Sequence, residues 1–565
     1  MPAFQPIGGA YGRIDRGEQL RRLRDESFDV AVIGGGINGA AIARDAAMRG
    51  FRVALIERAD FAGATSSCSS KLIHGGLRYL PQGQLRLVRE ALRERERLRL
   101  VTAPHLVRRL RFLLPFYRGD RPGRFALSAG LILYDLLARA PRAERHHRLA
   151  AARVSDFEPR LKTAGLTGGA VYFDAWGDDA RLTLENALDA AYHGAAIANY
   201  VAAEGFSKNG VRLAAAHLRD LAGGAQFELR ARRFVNAAGP WSDDIRLMDD
   251  AQAAPAIRLT KGVHLVVSGK LLPLRNALLL NDGAGRVVFV MPHNGYVLIG
   301  TTDTDYTGDR ANVVADAQDI TYLLGVVADA LPEARITPGD ISYSFAGLRA
   351  LTAGRRGLRP SMISREDVTI VSPSGLQTMA GGKLTTHREM AEKLVDRLGA
   401  ALGRRGVKTI TTEVPLPGAR PLSLDAKEAD AYRRAMAELP LDIRPMLTAR
   451  YGTRAGQVAR LAHRRTELAA RLAPGAPAIA AEVVFAVRAE MARCIADFLI
   501  RRTAMVWRAP HQAAASAPAV ARIMAGEFGW DHVRERAELE HFMRSVPLPE
   551  DHIGASSAAD AKDVR

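Results

Sequence analysis

A glycine-rich turn between two short apolar runs constrains the fold of this chain more than any other feature. The first run covers residues 28–33, and the second covers residues 51–56 and is followed directly by Glu57. The turn has the pattern G-x-G-x-x-G, formed by Gly34, Gly36 and Gly39. Because the Ala-rich residues 37–49 favour a helix, the whole segment predicts a strand–turn–helix–strand unit of a parallel sheet.

This unit predicts a binding site for a dinucleotide. The glycines permit a tight turn, a close approach of the backbone to a pyrophosphate, and close packing of the helix on the strand. The first turn of the helix offers free N–H groups and the positive end of its dipole to the phosphates. Glu57 stands where a carboxylate accepts hydrogen bonds from the adenosine ribose. The spacing of strand, helix and acid disfavours a glycine turn without nucleotide, although the motif alone does not distinguish NAD from FAD.

Length and cysteine content indicate a multi-domain protein of a reducing compartment. The chain has 565 residues, too many for one compact core, so we expect two or three domains. Its N-terminus is polar and Arg-rich and lacks the features of a signal peptide, and no apolar run is long enough to span a bilayer. Cys68 and Cys494 are the only cysteines, which excludes a disulfide framework and favours the cytoplasm.

The formal net charge of +18 is compatible with a nucleic acid, an anionic lipid or an acidic substrate. Only ten of the 79 basic residues are lysine, and alanine is abundant, which indicates an arginine-biased composition. The charge is therefore a weak functional signal. No nucleic-acid-binding module accompanies it, so we expect no nucleic-acid partner, and we predict no metal site.

The order of patterns along the chain predicts an α/β fold. We expect a Rossmann-type dinucleotide-binding domain built from separated segments, an inserted β-rich substrate domain, and a C-terminal α-helical cap domain. The predicted segments are a basic N-terminal extension (1–24), the first part of the nucleotide-binding domain (25–255), the β-rich domain (256–345), the return segment (346–405), the helical domain (406–548) and a disordered tail (549–565).

A loop rich in hydroxyl groups follows the second predicted strand. It reads TSSCSSK from residue 65 and continues as LIHGGLRYL to residue 80. Hydroxyls suit a loop that wraps a phosphate and a ribityl chain, and the two glycines let the backbone approach a flat ring. Since the loop comes directly after the dinucleotide unit, a merely solvated serine loop is the weaker interpretation.

Seven motifs identify a family that the chain resembles. They are IGGGINGA, TSSCSSKLIHGGLRYL, DDARL, NAAGPW, KGVHLVV, IGTTD and AGGKLTTHRE, in that order. With these motifs the chain closely resembles the FAD-dependent glycerol-3-phosphate dehydrogenases, which are membrane-associated and reduce quinone. The resemblance implies FAD as cofactor, oxidation of sn-glycerol 3-phosphate to dihydroxyacetone phosphate, and electron delivery to quinone.

The predicted cofactor is non-covalent FAD, because no attachment motif for a His or Cys is evident. Lys383 and the helix that follows it resemble the family's late flavin-contacting segment, where positive charge stabilises a reduced flavin. A solvated lysine at a helix end is the alternative for Lys383. The predicted cofactor-binding residues are Gly34, Gly36, Gly39, Glu57, Thr65, Ser66, Ser69, Ser70, Lys71, His74, Gly239, Gly382, Lys383, Leu384 and Thr385.

Arginine is the natural partner of the substrate phosphate, because its planar fork donates two parallel hydrogen bonds. Most of the arginines in this chain are expected on the solvated surface. The resemblance singles out Arg78 in GGLRYL, Arg349 in AGLRAL and Arg365 in ISRED. We predict that these three, with Tyr79, contact the phosphate and hydroxyl groups of the substrate.

The sequence departs from the family pattern around the last of these arginines. Ala350 follows Arg349 where the family usually has proline, and residues 352–361 are rich in Arg and Gly where acidic residues are expected. The register of Arg365 is therefore open, and Arg359 competes with it.

His264, in KGVHLVV, is the predicted base. A lone histidine on a strand is usually structural, but this one matches a family position that faces the flavin. Its reference pKa suits removal of the C2 hydroxyl proton at neutral pH while hydride leaves for the flavin. We predict that His264 and Arg349 are catalytic and that His264 also binds substrate. Asp303, in IGTTD, either lines the site or is an ordinary turn residue.

Three functions remain open at this point. The first is a dehydrogenase that passes electrons to quinone, the second an oxidase that passes them to oxygen, and the third a basic flavin-binding protein without turnover. The series Arg78, His264, Arg349 and Lys383 disfavours the third. The sequence contains no recognisable quinone motif, and a homodimer is possible.

Reduction of a bilayer quinone requires contact with the membrane, so we expect monotopic attachment to the inner face of the cytoplasmic membrane. Residues 105–139 are the predicted surface, because apolar and basic residues alternate there. The alternative is that residues 125–137 form a buried core helix. The segment contains Phe112, Leu113, Leu114, Phe116, Leu131, Ile132 and Leu133 among Arg108, Arg109, Arg111, Arg118, Arg121 and Arg124.

Overall fold

The chain folds into two β-sheets and a C-terminal set of helices. The computed structural model describes residues 14–120, 123–283, 285–353, 368–421 and 426–546. The predicted fold class is confirmed, since a parallel nucleotide-binding sheet, a largely antiparallel second sheet and a helical C-terminal part are all present.

The strands of the described ranges number eighteen. The first nine are β1 (Ser27–Ile33), β2 (Val53–Glu57), β3 (Leu72–Ile73), β4 (Val107–Tyr117), β5 (His147–Leu149), β6 (Leu166–Gly177), β7 (Ala196–Asn199), β8 (Val201–Asn209) and β9 (Arg212–Asp220). The others are β10 (Gln226–Asn236), β11 (Ile257–Ser268), β12 (Ala277–Asn281), β13 (Val287–His293), β14 (Tyr296–Gly300), β15 (Thr304–Asp305), β16 (Ile341–Thr352), β17 (Val368–Val371) and β18 (Gln377–Ala380).

The α-helices of the same ranges number sixteen. The first nine are α1 (Arg16–Asp25), α2 (Ile37–Met48), α3 (Leu85–Arg97), α4 (Arg124–Ala138), α5 (Ala151–Phe157), α6 (Asp179–Tyr192), α7 (Ser242–Asp249), α8 (Ala317–Ala330) and α9 (His387–Ala401). The C-terminal ones are α10 (Ala426–Ala437), α11 (Ile443–Tyr451), α12 (Ala455–Arg464), α13 (Ala480–Glu490), α14 (Met505–Arg508), α15 (Pro510–Phe528) and α16 (His532–Ser545).

The first sheet has a parallel centre in the order β18-β10-β1-β2-β7. Strands β1 and β2 are mainly apolar because helices cover one face of the sheet and helices with a hairpin cover the other. Helices α2, α6 and α9 pack on the first face, and α1, α7 and the β8–β9 hairpin pack on the second. The carboxyl ends of β1, β2 and β10 therefore lie side by side at one edge of the sheet.

The second sheet runs in the order β15-β11-β14-β13-β12-β4-β6-β3, with β16 also paired to β11 and β5 to β6. Its pairs are antiparallel except for the parallel contact of β12 with β4. Helix α8 covers one face through Ile320, Leu323 and Val327. The long pairing of β11 with β16 places two predicted site residues, His264 and Arg349, on neighbouring strands.

The second sheet draws strands from more of the chain than the sequence indicated. Strands β3, β4, β5 and β6 lie within the segment 25–255, yet they pair with the second sheet and not with the first. The predicted assignment of that whole segment to the nucleotide-binding domain was therefore wrong for these strands. The reason is that strand pairing at long range leaves no local mark in the sequence.

Part of the predicted N-terminal extension is a packed helix. Within the predicted extension 1–24, residues from 16 onward belong to α1, which buries Leu23 against the first sheet. Arg16 of this helix donates to Asp220 at 2.7 Å and to the Asn199 carbonyl at 2.8 Å. This part of the extension is thus packed structure, whereas the predicted tail 549–565 lies outside the described residues.

The predicted membrane segment is only partly exposed. Phe112, Leu113, Leu114 and Phe116 lie on β4, an internal strand of the second sheet, and are buried, as is Leu131 on α4. The prediction was wrong for these five side chains, because the strand has sheet neighbours on both sides and packed layers on both faces. Helix α4 itself lies at the surface with its opposite face exposed.

The C-terminal helices are joined to the first sheet by buried ion pairs. Arg502 donates two hydrogen bonds to Asp60, which follows β2, and Arg181 of α6 donates to Glu490 of α13 at 2.7 Å. All four side chains are almost fully buried. Removing one partner of such a pair leaves an uncompensated buried charge, which typically costs about 3–5 kcal/mol.

Glu185 of α6 is a second buried carboxylate at this junction. It is bonded to His105 at 3.1 Å and accepts from the Gly418 N–H at 3.0 Å. Burial acts to raise the pKa of Glu185, but His105 and the guanidinium groups of Arg181 and Arg454 outweigh burial and lower that pKa to about 2. The folded protein therefore binds the Glu185 proton more weakly than the unfolded chain does.

We predict that Glu185→Gln lowers the thermal unfolding temperature at neutral pH and that the deficit shrinks in acid. The stabilisation by this carboxylate is fully present above its unfolded-state pKa of about 4.3 and is lost as the pH falls towards the folded value. Melting curves between about pH 7 and pH 3 measure the deficit. Glu467→Gln, at an exposed ion pair with Arg465, is the matched control. A deficit that is the same at every pH would contradict the prediction.

Candidate active site

A large cavity opens at the carboxyl ends of β1, β2 and β10, between the first and the second sheet. Its volume is about 1160 Å³. Most of the residues predicted from sequence meet in its wall. They are Gly34, Gly36, Glu57, Thr65, Ser66, Ser69, Ser70, His74, Gly239, His264, Arg349, Gly382, Lys383, Leu384 and Thr385.

The glycine turn forms the floor of the cavity because three backbone segments meet there. Gly34 has φ +114°, and a Cβ atom on it would lie 2.5 Å from the carbonyl oxygen of Ala237. A Cβ atom on Gly39 would lie 1.8 Å from the Gly34 carbonyl oxygen, so Gly39 permits α2 to pack against the turn. Helix α2 begins directly after Gly36. Its N-terminus therefore faces the cavity, as a pyrophosphate site requires.

Glu57 lies at the end of β2 and holds the turn together. Its carboxylate accepts from the Gly35 N–H at 2.6 Å and from the Ala59 N–H at 2.7 Å. Burial raises the pKa of Glu57, and these two N–H donors oppose that effect. The carboxylate lies at the cavity wall, and its predicted contact with the adenosine ribose stays a prediction.

The hydroxyl loop is fixed to its surroundings by several hydrogen bonds. Thr65 donates to the Leu348 carbonyl at 2.6 Å, and Ser66 accepts from the Ile37 N–H at 2.9 Å. Ser69 donates to Asp179 at 2.6 Å. These contacts hold the loop between the helix N-terminus and the second sheet, where it forms one wall of the cavity.

Lys71 does not reach the cavity, contrary to its predicted role in cofactor binding. Its Nζ donates to Asp179 at 2.7 Å and to the Ser67 carbonyl at 2.6 Å, and the side chain is buried. The Nζ also lies 5.2 Å from the ring centre of Phe345. The ammonium group is thus held in a buried ion pair, where it stabilises the base of the loop.

His264 borders the cavity from β11 but exposes only 1 % of its surface. One face of the ring stacks on Phe345 at 4.9 Å, and the other packs on Gly300, where a Cβ atom would lie 2.2 Å from Cδ2. The Nε2 atom is 2.8 Å from the Ser70 hydroxyl. Burial, followed by the charges of Arg349 and Lys71, lowers the pKa of His264 well below 6.5. The ring is therefore neutral at physiological pH, and burial has removed the near-neutral pKa that the sequence suggested.

Arg349 enters the cavity from β16 across the surface of Gly262. A Cβ atom on Gly262 would lie 2.3 Å from Nη2 of Arg349, so the absence of a side chain there makes room for the guanidinium group. Arg349 donates to Thr301 at 2.9 Å and lies 3.3 Å from Asp303. These contacts hold its planar fork at the wall of the cavity. Asp303 also lines the cavity and so is more than an isolated turn residue.

The late segment around Lys383 closes the cavity opposite the second sheet. Thr385 accepts from the His74 N–H at 3.1 Å and so joins this segment to the hydroxyl loop. The Nζ of Lys383 lies 3.9 Å from the ring centre of Tyr79, which is buried and does not line the cavity. Tyr79 therefore lies behind the cavity wall in contact with Lys383, its predicted contact with the substrate stays a prediction, and Lys383 is not a solvated helix-end lysine.

The side chains of three arginines named in the sequence analysis lie outside the described part of the structure. Only the backbone of Arg78 belongs to the described part of the structure, within the 3₁₀ turn Leu77–Gln82. Arg365 and its competitor Arg359 lie outside the described residues. The choice between them stays open, and their roles remain predictions.

Sequence reasoning missed several residues of the cavity wall. Tyr200 lines the cavity beyond Glu57 and donates through its hydroxyl to Asp497 of the C-terminal domain at 2.7 Å. Arg310 forms a two-pronged ion pair with Asp244 of α7 at another part of the wall. These residues stand in no recognisable motif, and only the packing of distant segments brings them to the cavity.

Comparisons with known proteins agree with this geometry. The family model described as FAD dependent oxidoreductase matches residues 29–388, and that described as the C-terminal domain of alpha-glycerophosphate oxidase matches residues 409–535. The aerobic glycerol-3-phosphate dehydrogenase of Staphylococcus saprophyticus is 35% identical over 92% of this chain and 94% of its own length. Glycerol-3-phosphate dehydrogenase 2 of Mycobacterium bovis is 37% identical over 96% of this chain and 93% of its own. The chain belongs to the FAD-dependent glycerol-3-phosphate dehydrogenase family.

Solved structures support the same assignment. The glycerol-3-phosphate dehydrogenase of Bacillus halodurans, in complex with FAD, has a TM-score of 0.78 at 30% identity and covers 95% of this chain and 98% of its own. The L-alpha-glycerophosphate oxidase of Mycoplasma pneumoniae, with FAD bound, has a TM-score of 0.52 at 18% identity and covers 69% of this chain and 99% of its own, which shows a shared fold. FAD is therefore the cofactor of this family member.

The cavity of this family member fits FAD in its donor groups and its shape. The N-terminus of α2 and the glycine turn suit the pyrophosphate, and no side chain at Gly34 or Gly36 fills the space beside them. At the other end, Gly382 has φ +96° and stands beside Lys383, whose ammonium group suits the negative charge of a reduced flavin.

We predict that Gly39→Ala lowers the thermal stability of the protein far more than Gly36→Ala, whose added methyl group would occupy the space beside the pyrophosphate and lower mainly the flavin content. The added Cβ of Gly39→Ala would strike the Gly34 backbone at 1.8 Å, whereas that of Gly36→Ala would lie 3.1 Å from the Ser66 hydroxyl, which can rotate. The melting temperature of the protein without flavin measures the first effect, and the ratio of flavin to protein absorbance measures the second. Equal melting temperatures in the two variants would contradict the role given to Gly39.

Proposed function

We propose that this protein oxidises sn-glycerol 3-phosphate to dihydroxyacetone phosphate, with hydride transfer to FAD and electron delivery to a membrane quinone. The observation that carries the proposal is the joint presence of Arg349, His264 and the FAD-binding turn in one cavity. Relatives that are 35–37% identical over most of the chain carry the name glycerol-3-phosphate dehydrogenase, which supports the substrate.

Arg349 is the proposed phosphate ligand among the described residues. A guanidinium group donates two parallel hydrogen bonds to a phosphate, which a lysine does not. Gly262 leaves the space for this group, and Thr301 and Asp303 orient it. The strand pairing of β11 with β16 sets the position of Arg349 relative to His264, so phosphate and reacting carbon are held at fixed places.

The chemistry divides between cofactor and protein. FAD, when bound, accepts the hydride from C2 of the substrate. The protein must take the hydroxyl proton and stabilise negative charge on the reduced cofactor, for which His264 and Lys383 are placed in the cavity wall. Because the pKa of His264 is lowered by burial, its ring is neutral before the reaction and can accept a proton.

Bleaching of the flavin spectrum under anaerobic conditions tests cofactor and substrate together. Glycerol 3-phosphate should bleach the purified protein, and glycerol without phosphate should do so very poorly.

Acid precipitation should release a yellow supernatant if FAD is non-covalent, and a yellow pellet would overturn that claim. Steady-state rates with oxygen and with a soluble quinone analogue then separate a dehydrogenase from an oxidase.

We predict that Arg349→Ala lowers catalytic efficiency while leaving flavin content near normal. Loss of a charge-assisted hydrogen bond costs about 1.5–3 kcal/mol, roughly 10- to 150-fold in a binding constant. Gly262→Ala should lower efficiency roughly tenfold or more, since its Cβ would displace the guanidinium group. Gly325→Ala, which meets no atom within 4 Å, is the control. Wild-type efficiency in Arg349→Ala would remove this residue from the proposed site.

We propose that the protein attaches to the membrane through the outer face of α4. Phe125, Ile132 and Leu136 are 70 %, 53 % and 69 % exposed and are spaced so that they share one side of the helix. Exposed arginines at 118, 139, 142, 145 and 148 flank the helix and suit anionic lipid. No helix in the described ranges combines the length and the apolarity that a bilayer crossing requires.

Flotation with anionic vesicles tests this surface. Wild type should float, more weakly at high salt, and a Phe125→Ser/Ile132→Ser/Leu136→Ser variant should remain at the bottom while still reducing a soluble dye. A Leu441→Ser/Val533→Ser variant changes equally exposed apolar residues elsewhere and should float like wild type. If the α4 variant floats as well as wild type, the attachment surface lies in another part of the protein.

A further inference from the structure

The contact between Ser70 and His264 carries an inference about the path of the substrate proton. His264 exposes 1 % of its surface, and the Ser70 hydroxyl lies 2.8 Å from its Nε2 atom. The other ring nitrogen, Nδ1, is buried and has no hydrogen-bond partner within the described residues. Nε2 is therefore already bonded to Ser70 and Nδ1 is turned away from solvent, although the ring borders the cavity.

Packing around the ring prevents a simple rotation that would expose a nitrogen. Phe345 stacks on one face at 4.9 Å with an interplanar angle of 15°. Gly300 lies so close to the other face that even a methyl group there would clash. The imidazole is thus confined to a slot between β14 and β16, and Ser70 covers its Nε2 edge.

Ser70 differs from its neighbours in the hydroxyl loop. Ser69 donates its hydroxyl to Asp179 at 2.6 Å, and Ser67 donates weakly to the Ala64 carbonyl at 3.3 Å. Ser70 lines the cavity, as Ser69 does, but the hydroxyl of Ser70 contacts His264. A hydroxyl group has one donor hydrogen and two acceptor lone pairs, so it can donate to Nε2 and accept from a ligand at the same time.

We propose that Ser70 relays the proton of the substrate hydroxyl to Nε2 of His264. This inference rests on the proposed function, which supplies FAD as the oxidant. The substrate O–H bond breaks and a new Oγ–H bond forms on Ser70, while the original Ser70 proton passes to Nε2. The C2–H bond breaks with its electron pair, which leaves as hydride to FAD, and the C2–O bond becomes a carbonyl. His264 then holds one extra proton, which it returns to solvent after the product leaves.

The charged groups near the ring are consistent with a transient protonated state. Burial disfavours the imidazolium ion, as do the charges of Arg349 and Lys71, so the lowered pKa favours release of the proton from His264. Lys71 is itself neutralised by Asp179 at 2.7 Å, and Arg349 lies 3.3 Å from Asp303. A phosphate bound at Arg349 would further reduce the positive field at the ring.

Anaerobic flavin reduction by glycerol 3-phosphate in the loaded enzyme tests the relay. Ser70→Ala should slow the reduction rate about 100-fold, the range typical of lost acid–base catalysis, and Ser70→Thr should restore much of it because the hydroxyl is kept. Ser67→Ala in the same loop should reduce at the wild-type rate. His264→Ala combined with Ser70→Ala should be no slower than the slower single variant, since the two residues act as one unit.

Chemical modification of the apoprotein gives a readout that does not depend on activity. Diethyl pyrocarbonate attacks an accessible, neutral imidazole nitrogen, and mass spectrometry locates the adduct. His264 in wild type should react far more slowly than His532, whose side chain is fully exposed. Ser70→Gly should speed modification of His264 severalfold, because it uncovers Nε2.

The outcomes separate the relay from the function on which it rests. If glycerol 3-phosphate bleaches wild type and Ser70→Ala at the same rate, the proposed function stands and the relay is wrong. If Ser70→Ala is slow only because it has lost FAD, with normal rates per bound flavin, the serine is a cofactor ligand and the relay is wrong. If wild type is not bleached at all, both the function and the relay are overturned.

Discussion

The meeting of three backbone segments at the carboxyl end of β1 is the contact on which the rest of the structure depends. The Gly34 N–H donates to the Ile56 carbonyl and the Ala237 N–H donates to the Ile33 carbonyl, both at 2.8 Å, so the ends of β2, β1 and β10 are bound side by side. The helix α2 then packs on the turn through Gly39. The strand ends, the helix N-terminus and the open space between the sheets follow from this contact, and the cavity lies there.

The second constraint is electrostatic and joins the C-terminal helices to the cofactor domain. Asp60 lies just beyond β2, and its carboxylate is bound by both Arg501 and Arg502 in the interior. Tyr200, at the cavity wall, is bonded to Asp497 of the same C-terminal turn. Such buried charges are costly unless paired, so breaking either ion pair would strongly disfavour this arrangement of the two parts. Through these contacts the C-terminal domain is bonded to the part of the cavity wall that Tyr200 forms.

The side chains with proposed chemical roles in the site lie on one strand pair and one loop. The pairing of β11 with β16 places His264 and Arg349, while glycines at 262 and 300 make room for both side chains. The loop that contributes Ser70 is held independently, through the bond of Ser69 to Asp179. The proposed recognition of the phosphate and the proposed removal of the proton therefore rest on groups that can be altered separately.

The sequence by itself determined the Rossmann unit and the motif residues that meet in the cavity wall, because glycine spacing and strand-ending motifs are local properties. It also indicated His264 and Arg349 through their motifs. Only the tertiary structure decided that Lys71 pairs with Asp179 and that strands β3 to β6 join the second sheet. It also decided that the Phe112 side chain is buried, whereas the outer face of α4 is exposed to solvent. The reason is physical: burial, strand pairing and ion pairs depend on residues that are distant in the sequence, and no local pattern encodes which of them meet.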